Sequence, residues 1–214
     1  PGARCVYSDI GYIVATAVVE RASDTRLDGL FEELVARPLG LRRTMYNPLS
    51  RGYEGRIAAT ERVAWRGGVI RGVVHDENAY AMDGVSGHAG LFSTAEEVGR
   101  IAWSVAESLG GSGLFSEPMA RAMTSLWSEG SCTYGLGWRL YRRGYRHAGD
   151  LFSPRAFGHT GFTGTSVWVD PEYEAVIVML TNRVHLGRDA PIAEARARIH
   201  NAVMASLGRQ GSRG

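Results

Sequence analysis

The stretch from Phe157 to Leu180 limits the fold more than any other part of the chain. Phe157 to Asp170 reads as the end of one strand, a glycine-punctuated edge and the start of the next strand. Asp170-Pro171-Glu172-Tyr173 has proline at the second position of a turn, as a type I turn prefers. Ala175 to Leu180 is then a continuous apolar run, the pattern of a central strand covered on both faces. At the first edge, His159-Thr160-Gly161 puts an imidazole and a hydroxyl beside bare backbone, because Gly161 and Gly164 carry no side chain. Such a triplet suits a polar wall for an anion or a developing oxyanion. It also suits a hairpin whose glycines only bend it.

The rest of the chain must cover that sheet, and 214 residues suffice for one domain or two intimate lobes with a core. A net charge of +2 with no basic run gives no reason to expect nucleic acid. No apolar run is long enough to span a membrane. The two cysteines, Cys5 and Cys132, are too few for a disulfide framework and lack zinc-type spacing, so free thiols are expected. All 24 basic residues are arginine, and the chain contains no lysine.

Helices flank the sheet segment. After Tyr7-Ser8-Asp9, the residues Ile10, Ile13, Val14, Ala17 and Val18 recur at helical spacing, with Tyr12, Ala15 and Val19 widening the apolar face. A helix apolar all round is expected to be buried, with Ser8 or Asp9 capping it. Leu27, Leu30, Phe31, Leu34 and Val35 form a second amphipathic stripe that Pro38 stops. Ser93-Thr94-Ala95-Glu96 predicts a capping box, with Ser93 as cap and Glu96 reaching back. Val98, Ile101, Ala102 and Val105 would face one side of that helix, and Gly110-Gly111 would end it. A short helix through Pro118 to Met123 is expected next, with Ser116 as its cap, then a strand over Tyr134 to Tyr141. A last helix is expected from about Pro191 to Leu207, with Ile192, Ala195, Ile199, Ala202 and Val203 inward.

Residues 46 to 90 lack sustained periodicity and predict a long irregular excursion of the kind that often covers a site. It carries His75 and His88, which would either line a cleft or brace the loop through hydrogen bonds. His75, Asp76, His88 and His159 are the residues from which a metal site could be drawn, but no pair has the i, i+4 spacing of helical ligands. Gly84-Val85-Ser86-Gly87-His88 lacks the final glycine of a nucleophile elbow and follows no clear strand.

Tyr7-Ser8-Asp9 opening a helix and His159-Thr160-Gly161 on a distant strand edge together resemble the serine β-lactamase and penicillin-binding-protein superfamily, in its class C-like hydrolase and esterase branch. Ala89-Gly90-Leu91-Phe92-Ser93-Thr94, Tyr134-Gly135-Leu136-Gly137-Trp138 and Leu180-Thr181-Asn182 match as well, in the right order. His75-Asp76 and Gly87-His88-Ala89-Gly90 look like the low-molecular-mass penicillin-binding branch. The resemblance runs from Pro1 to about Leu207. It implies an α+β (α/β) fold of β-lactamase/transpeptidase type: an antiparallel sheet flanked by helices, plus a mostly helical lobe. The expected division is a helical, loop-rich lobe over 1–128, a sheet lobe with the C-terminal helix over 129–208 and a flexible tail over 209–214.

It further implies acyl transfer through a serine ester, without metal or other cofactor, on a small-molecule or peptide substrate: an ester, a β-lactam or a D-alanyl peptide. Carried over by motif, Tyr7 takes the proton-shuttling tyrosine role and Asp9 the third position of that loop. His159, Thr160 and Gly161 take the strand triplet, and the N–H of Phe162 becomes one oxyanion donor. Two departures stand out. Asp9 replaces the more usual Asn, and a carboxylate cannot donate as an amide does. No Ser-x-x-Lys exists, because no lysine exists. Since that motif lies upstream of the tyrosine loop in the family, truncation at the N-terminus is the expectation. The fragment would then be inactive alone, with an unpaired strand edge near Thr181. It would be stable only if paired with the missing N-terminal half, another chain or a second copy. The competing expectation is a non-catalytic relative that binds cell-wall fragments or a protein partner.

Overall fold

A computed structural model describes residues 6–127 and 133–208. Cys5, Cys132 and the tail over 209–214, on which expectations were stated, lie outside the described residues. Two compact units are present, one of Val6–Glu97 with Asn182–Asp189, the other of Val98–Thr181 with the residues from Ala190 onward.

In the first unit, α1 (Asp9–Ser23) follows Ser8, which has the extended backbone of an N-cap but makes no side-chain cap bond. Asp9 puts a carboxylate in the first turn, where the helix dipole favours it. The expectation of a buried helix is corrected here. Thr16 is its one buried residue, while Ile10, Val14 and Val18 are 69%, 56% and 61% exposed. Thr16 is fixed by polar contacts: its hydroxyl donates to Tyr12 O and accepts from the Gly87 N–H, both at 2.9 Å. α2 (Leu27–Phe31) runs on into a π-helical turn, Glu32–Ala36, before Pro38.

The excursion is more regular than predicted. β1 (Met45–Tyr46) pairs with β4 (Leu91–Phe92), and β2 (Ala59–Val63) with β3 (Gly68–Arg71), each antiparallel. α3 (Glu77–Ala81) lies between β3 and β4, capped by Asp76, whose carboxylate accepts from Ala79 N–H at 2.8 Å. These pieces are too short for periodicity to reveal. The returning segment Asn182–Asp189 is tied to β2. The Asn182 amide donates to Ala59 O, His185 Nδ1 lies 2.9 Å from Thr60 O, and Arg188 reaches Glu61 at 3.0 Å and Glu77 at 2.5 Å.

α4 (Ala95–Leu109) begins one residue later than expected. Thr94 Oγ1, not Ser93, accepts from the first turn, at Glu97 N. Ser93 pairs with Thr44 instead, and Glu97 turns away to bond Arg42, Arg43 and Thr44.

In the second unit, four strands form one antiparallel sheet in the order β5 (Arg139–Leu140), β6 (Phe157–Thr160), β7 (Ser166–Asp170), β8 (Ala175–Met179). The expected Tyr134–Tyr141 strand shrinks to two residues plus a Tyr134–Arg139 bridge, because Gly137 turns the chain at φ 81°. β8 is not central. Among the described strands it pairs only with β7 and buries every second residue, so the unpaired edge is present. Asp170 holds the strand connections: its carboxylate accepts from Ser153 N and Oγ, both at 2.7 Å, and from Glu172 N at 3.1 Å.

On one face, Phe157 and Val169 pack with Ala102 and Val105 of α4, and Trp138 meets Phe157 edge-on at 5.2 Å. On the other, Trp168 sits fully buried among Tyr141, Tyr145 and Phe152. Burying such a ring contributes roughly 1.5–3 kcal/mol. Gly158 permits it, since a Cβ there would overlap Val167 O and the Trp168 ring. α5 (Glu117–Met123) has Ser116 at its N-cap position without a side-chain bond.

α6 (Ala193–Gly208) exists as predicted but with a different face inward, turned by about one residue position. Ala193, Arg196, His200 and Met204 are buried, while Ile199, Val203, Ala195 and Ala202 are exposed and Ile192 is half-buried. Polar bonds overrode hydropathy. His200 Nδ1 donates to Ala148 O at 2.9 Å and its Nε2 accepts from Ser166 Oγ at 3.3 Å.

Candidate active site

The focal triplet ends β6. His159 pairs with Val167 and Thr160 with Ser166, so the register is fixed up to the turn. His159 Nδ1 donates to Thr160 O at 2.8 Å, which places the lone pair of the neutral ring on Nε2. Burial pushes the imidazole below its ordinary value, the bond to Thr160 O opposes this, and the charge of Arg139 adds to the lowering. His159 is therefore held neutral, with Nε2 able to accept a hydrogen bond rather than to supply a positive charge. Its ring lies 6.0 Å from that of Tyr134. Arg139, on β5, donates to the Tyr134 hydroxyl at 2.8 Å. Its guanidinium is sandwiched 4.5 Å from the Tyr134 ring and 4.4 Å from the Tyr145 ring.

The turn beyond the triplet is closed by Gly161 N donating to Thr165 O at 2.8 Å and by Gly164 N donating to Gly161 O at 3.2 Å. Gly161 is required, because a Cβ would overlap Thr165 Oγ1. The Thr181 hydroxyl donates to Gly164 O at 2.8 Å. Arg196 of α6 donates through Nη2 to both Gly161 O (2.9 Å) and Thr165 O (2.7 Å). Arg139 and Arg196 were missed from the sequence, since arginines on a helix and on a strand read as solvated charge.

In the other unit, Tyr7 lies just ahead of α1, half exposed, with its ring 6.3 Å from that of Tyr12. Asp9 is exposed. His75 and His88 are each bound to a carboxylate. His75 Nε2 meets Glu61 at 2.7 Å, and His88 Nε2 meets Asp76 at 2.8 Å. His88 Nδ1 also lies 2.8 Å from Ser86 Oγ. This Ser-His-Asp order is not a nucleophilic triad, because Ser86 is 1% exposed and no substrate reaches its hydroxyl. Both imidazoles brace the loop. Hydrogen bonds from His75 and Arg188 hold Glu61 below the usual carboxylate range. Among the described residues, no group of three or more His, Cys, Asp and Glu side chains could hold a metal ion. No helix among them is long and apolar enough to cross a membrane.

Residues 1–202 match the protein family described as Beta-lactamase. The chain belongs to the Beta-lactamase family. Within it, a relative from Escherichia coli O157:H7 named "Putative D-alanyl-D-alanine carboxypeptidase" is 41% identical over 214 residues, covering 91% of this chain and 48% of that protein. The "N-acetylmuramyl-L-alanine amidase" of Bacillus subtilis (strain 168) is 40% identical over 203 residues, covering 86% of this chain and 45% of that protein. This β-lactamase-family chain thus spans about half the length of these relatives. Among solved structures, the octameric penicillin-binding protein homologue from Pyrococcus abyssi superposes with a TM-score of 0.70 at 18% identity, over 97% of this chain and 44% of that one. The fold is therefore the β-lactamase/transpeptidase-like α+β fold.

Proposed function

We propose that this chain forms the C-terminal part of a serine hydrolase that works through an acyl-serine ester, on an ester, a β-lactam or a D-alanyl peptide. The observation that carries this reading is the β6 edge: a neutral imidazole on the triplet His159-Thr160-Gly161, followed by a turn closed around Gly161. In this reading the serine nucleophile and its lysine come from residues outside the chain, which holds no lysine of its own. Tyr7 carries the serine proton to the leaving group. Phe162 N–H donates to the oxyanion of the tetrahedral intermediate. Thr160 faces the substrate as part of the wall. His159 replaces the cationic wall residue with an acceptor at Nε2, so its partner is a hydrogen-bond donor of substrate or enzyme. Asp9 accepts but cannot donate, which favours esters over amides that need a donor at that position. No step involves a cofactor.

The test uses the full-length gene product. It is incubated with p-nitrophenyl acetate, nitrocefin and a D-alanyl-D-alanine peptide, and intact mass spectrometry follows the acyl adduct. A covalent adduct on a serine that turns over is expected. Failure of every substrate to acylate the protein overturns the reading. Binding of cell-wall fragments without acylation would support the non-catalytic alternative.

A further inference from the structure

Arg196 is a charged side chain 3% exposed on α6. A buried guanidinium costs several kcal/mol unless it is well satisfied, so the groups it touches show what it is for. Nη2 donates to Gly161 O at 2.9 Å and to Thr165 O at 2.7 Å, and Nη1 lies 3.2 Å from His147 Nδ1. The two carbonyls belong to opposite arms of the β6–β7 turn and are already joined through Gly161 N–H to Thr165 O. One guanidinium nitrogen therefore straddles the mouth of the turn.

The covalent geometry makes this more than a brace. Gly161 O and the Phe162 N–H belong to one peptide unit, and among the described residues no peptide is cis. In a trans peptide the C=O and N–H point in opposite directions. Holding Gly161 O on Arg196 thus fixes the Phe162 N–H to point away from α6. A cation bonded to the carbonyl also draws electron density from the amide, strengthening its N–H as a donor. Gly161 O accepts a second bond, from Gly164 N at 3.2 Å, which adds to the same polarisation.

We infer that Arg196 is a positioning residue that aims and polarises the Phe162 N–H as an oxyanion donor from behind, through the Gly161–Phe162 peptide. This rests on the acyl-serine reading above. It accounts for a buried arginine where hydropathy calls for an apolar residue, and for the rotated face of α6.

The test compares Arg196→Lys and Arg196→Gln with wild type in the full-length gene product. Lysine keeps a charge and can still donate to both carbonyls but lacks the second nitrogen that meets His147; glutamine removes the charge and keeps one donor group. Only variants that match wild type in circular dichroism are read kinetically. A misaimed donor is expected to lower kcat about 10- to 100-fold with KM changed little, lysine retaining more activity than glutamine. The preference for an oxo-ester over the matching thiono-ester should shrink as well, because that ratio reports the oxyanion contact itself. Equal loss on both esters, or kcat within about two-fold of wild type, overturns the inference. A second measurement does not need activity. The Phe162 amide proton, assigned by NMR in the same protein, should move upfield in Arg196→Gln, which removes the charge, and an unmoved resonance also overturns it. Absence of acylation in the wild type would instead sink the acyl-serine reading, while the amide shift would still decide whether Arg196 polarises that peptide.

Discussion

Glu97 gives the sharpest stability test. It is a carboxylate only 5% exposed in the first turn of α4. One oxygen accepts from Arg42 N at 2.9 Å and Arg43 N at 3.1 Å, and the other from Arg43 N at 2.9 Å and Thr44 Oγ1 at 2.5 Å. Glu97→Ala orphans two backbone donors. The Thr44 hydroxyl keeps its contact with Ser93 Oγ at 2.7 Å. A fully buried orphan donor costs about 1–3 kcal/mol; Arg42 and Arg43 are exposed residues whose N–H groups are only partly buried, so a combined loss of about 1–3 kcal/mol is expected, or roughly 5- to 150-fold in the unfolding equilibrium. Burial alone would raise this carboxyl, but the bonds from Thr44, Arg42 and Arg43 outweigh it and hold the group below the ordinary value of 4.5. A group depressed on folding contributes its stability above the unfolded value and loses it as pH falls through the folded one. Wild type and variant should therefore converge below about pH 4. Urea unfolding by circular dichroism measures the loss, and amide exchange at Arg42 and Arg43 shows where it arises. A cost under about 0.5 kcal/mol at pH 7, with Arg42 and Arg43 still protected, would refute the reasoning.

Three further outcomes are expected. His200 is fully buried, and burial first, with the Arg196 charge, pushes its imidazole below 6.5 against the bond to Ala148 O. Its contribution is complete above about pH 6.5 and fades as pH falls, so the melting temperature should drop between pH 7 and 5, and less steeply in His200→Gln. His159 adds to the same trend. Gly158→Ala should destabilise by about 1–3 kcal/mol in urea titrations, since a methyl there meets Val167 O and the Trp168 ring. Tyr7→Phe in the full-length protein should lower acylation about 10²- to 10⁴-fold in stopped-flow measurements.

What was legible in the sequence was the segment most governed by local rules. β6, the glycine turn, β7, Asp170-Pro171 and β8 fall where alternation and turn chemistry put them. α6 falls within two residues of its expected bounds, but a neighbouring face turns inward, because hydropathy cannot anticipate that Arg196 and His200 find carbonyl and hydroxyl partners in a core. α1 has apolar residues on every side, so no period could choose a face, and a backbone N–H gripping Thr16 chose it instead. Of the candidate site, His159, Thr160 and Gly161 could be read from their neighbours in sequence. The arginines behind and beside them could not, since Arg196 bonds carbonyls 31 and 35 positions away and Arg139 bears on His159 through its charge, 20 positions along the chain.

The Asn182–Asp189 segment binds back to residues more than a hundred positions earlier, with Arg188 closing on Glu61 across 127 residues. During synthesis at about 5–20 residues per second, the Glu61–Glu77 region emerges from the ribosome many seconds before this strap. Nascent chains interrupted between β3 and β8 should accordingly be trapped by chaperones or cleaved near Ala59–Val63, and become protease-resistant once the ribosome has passed Asp189.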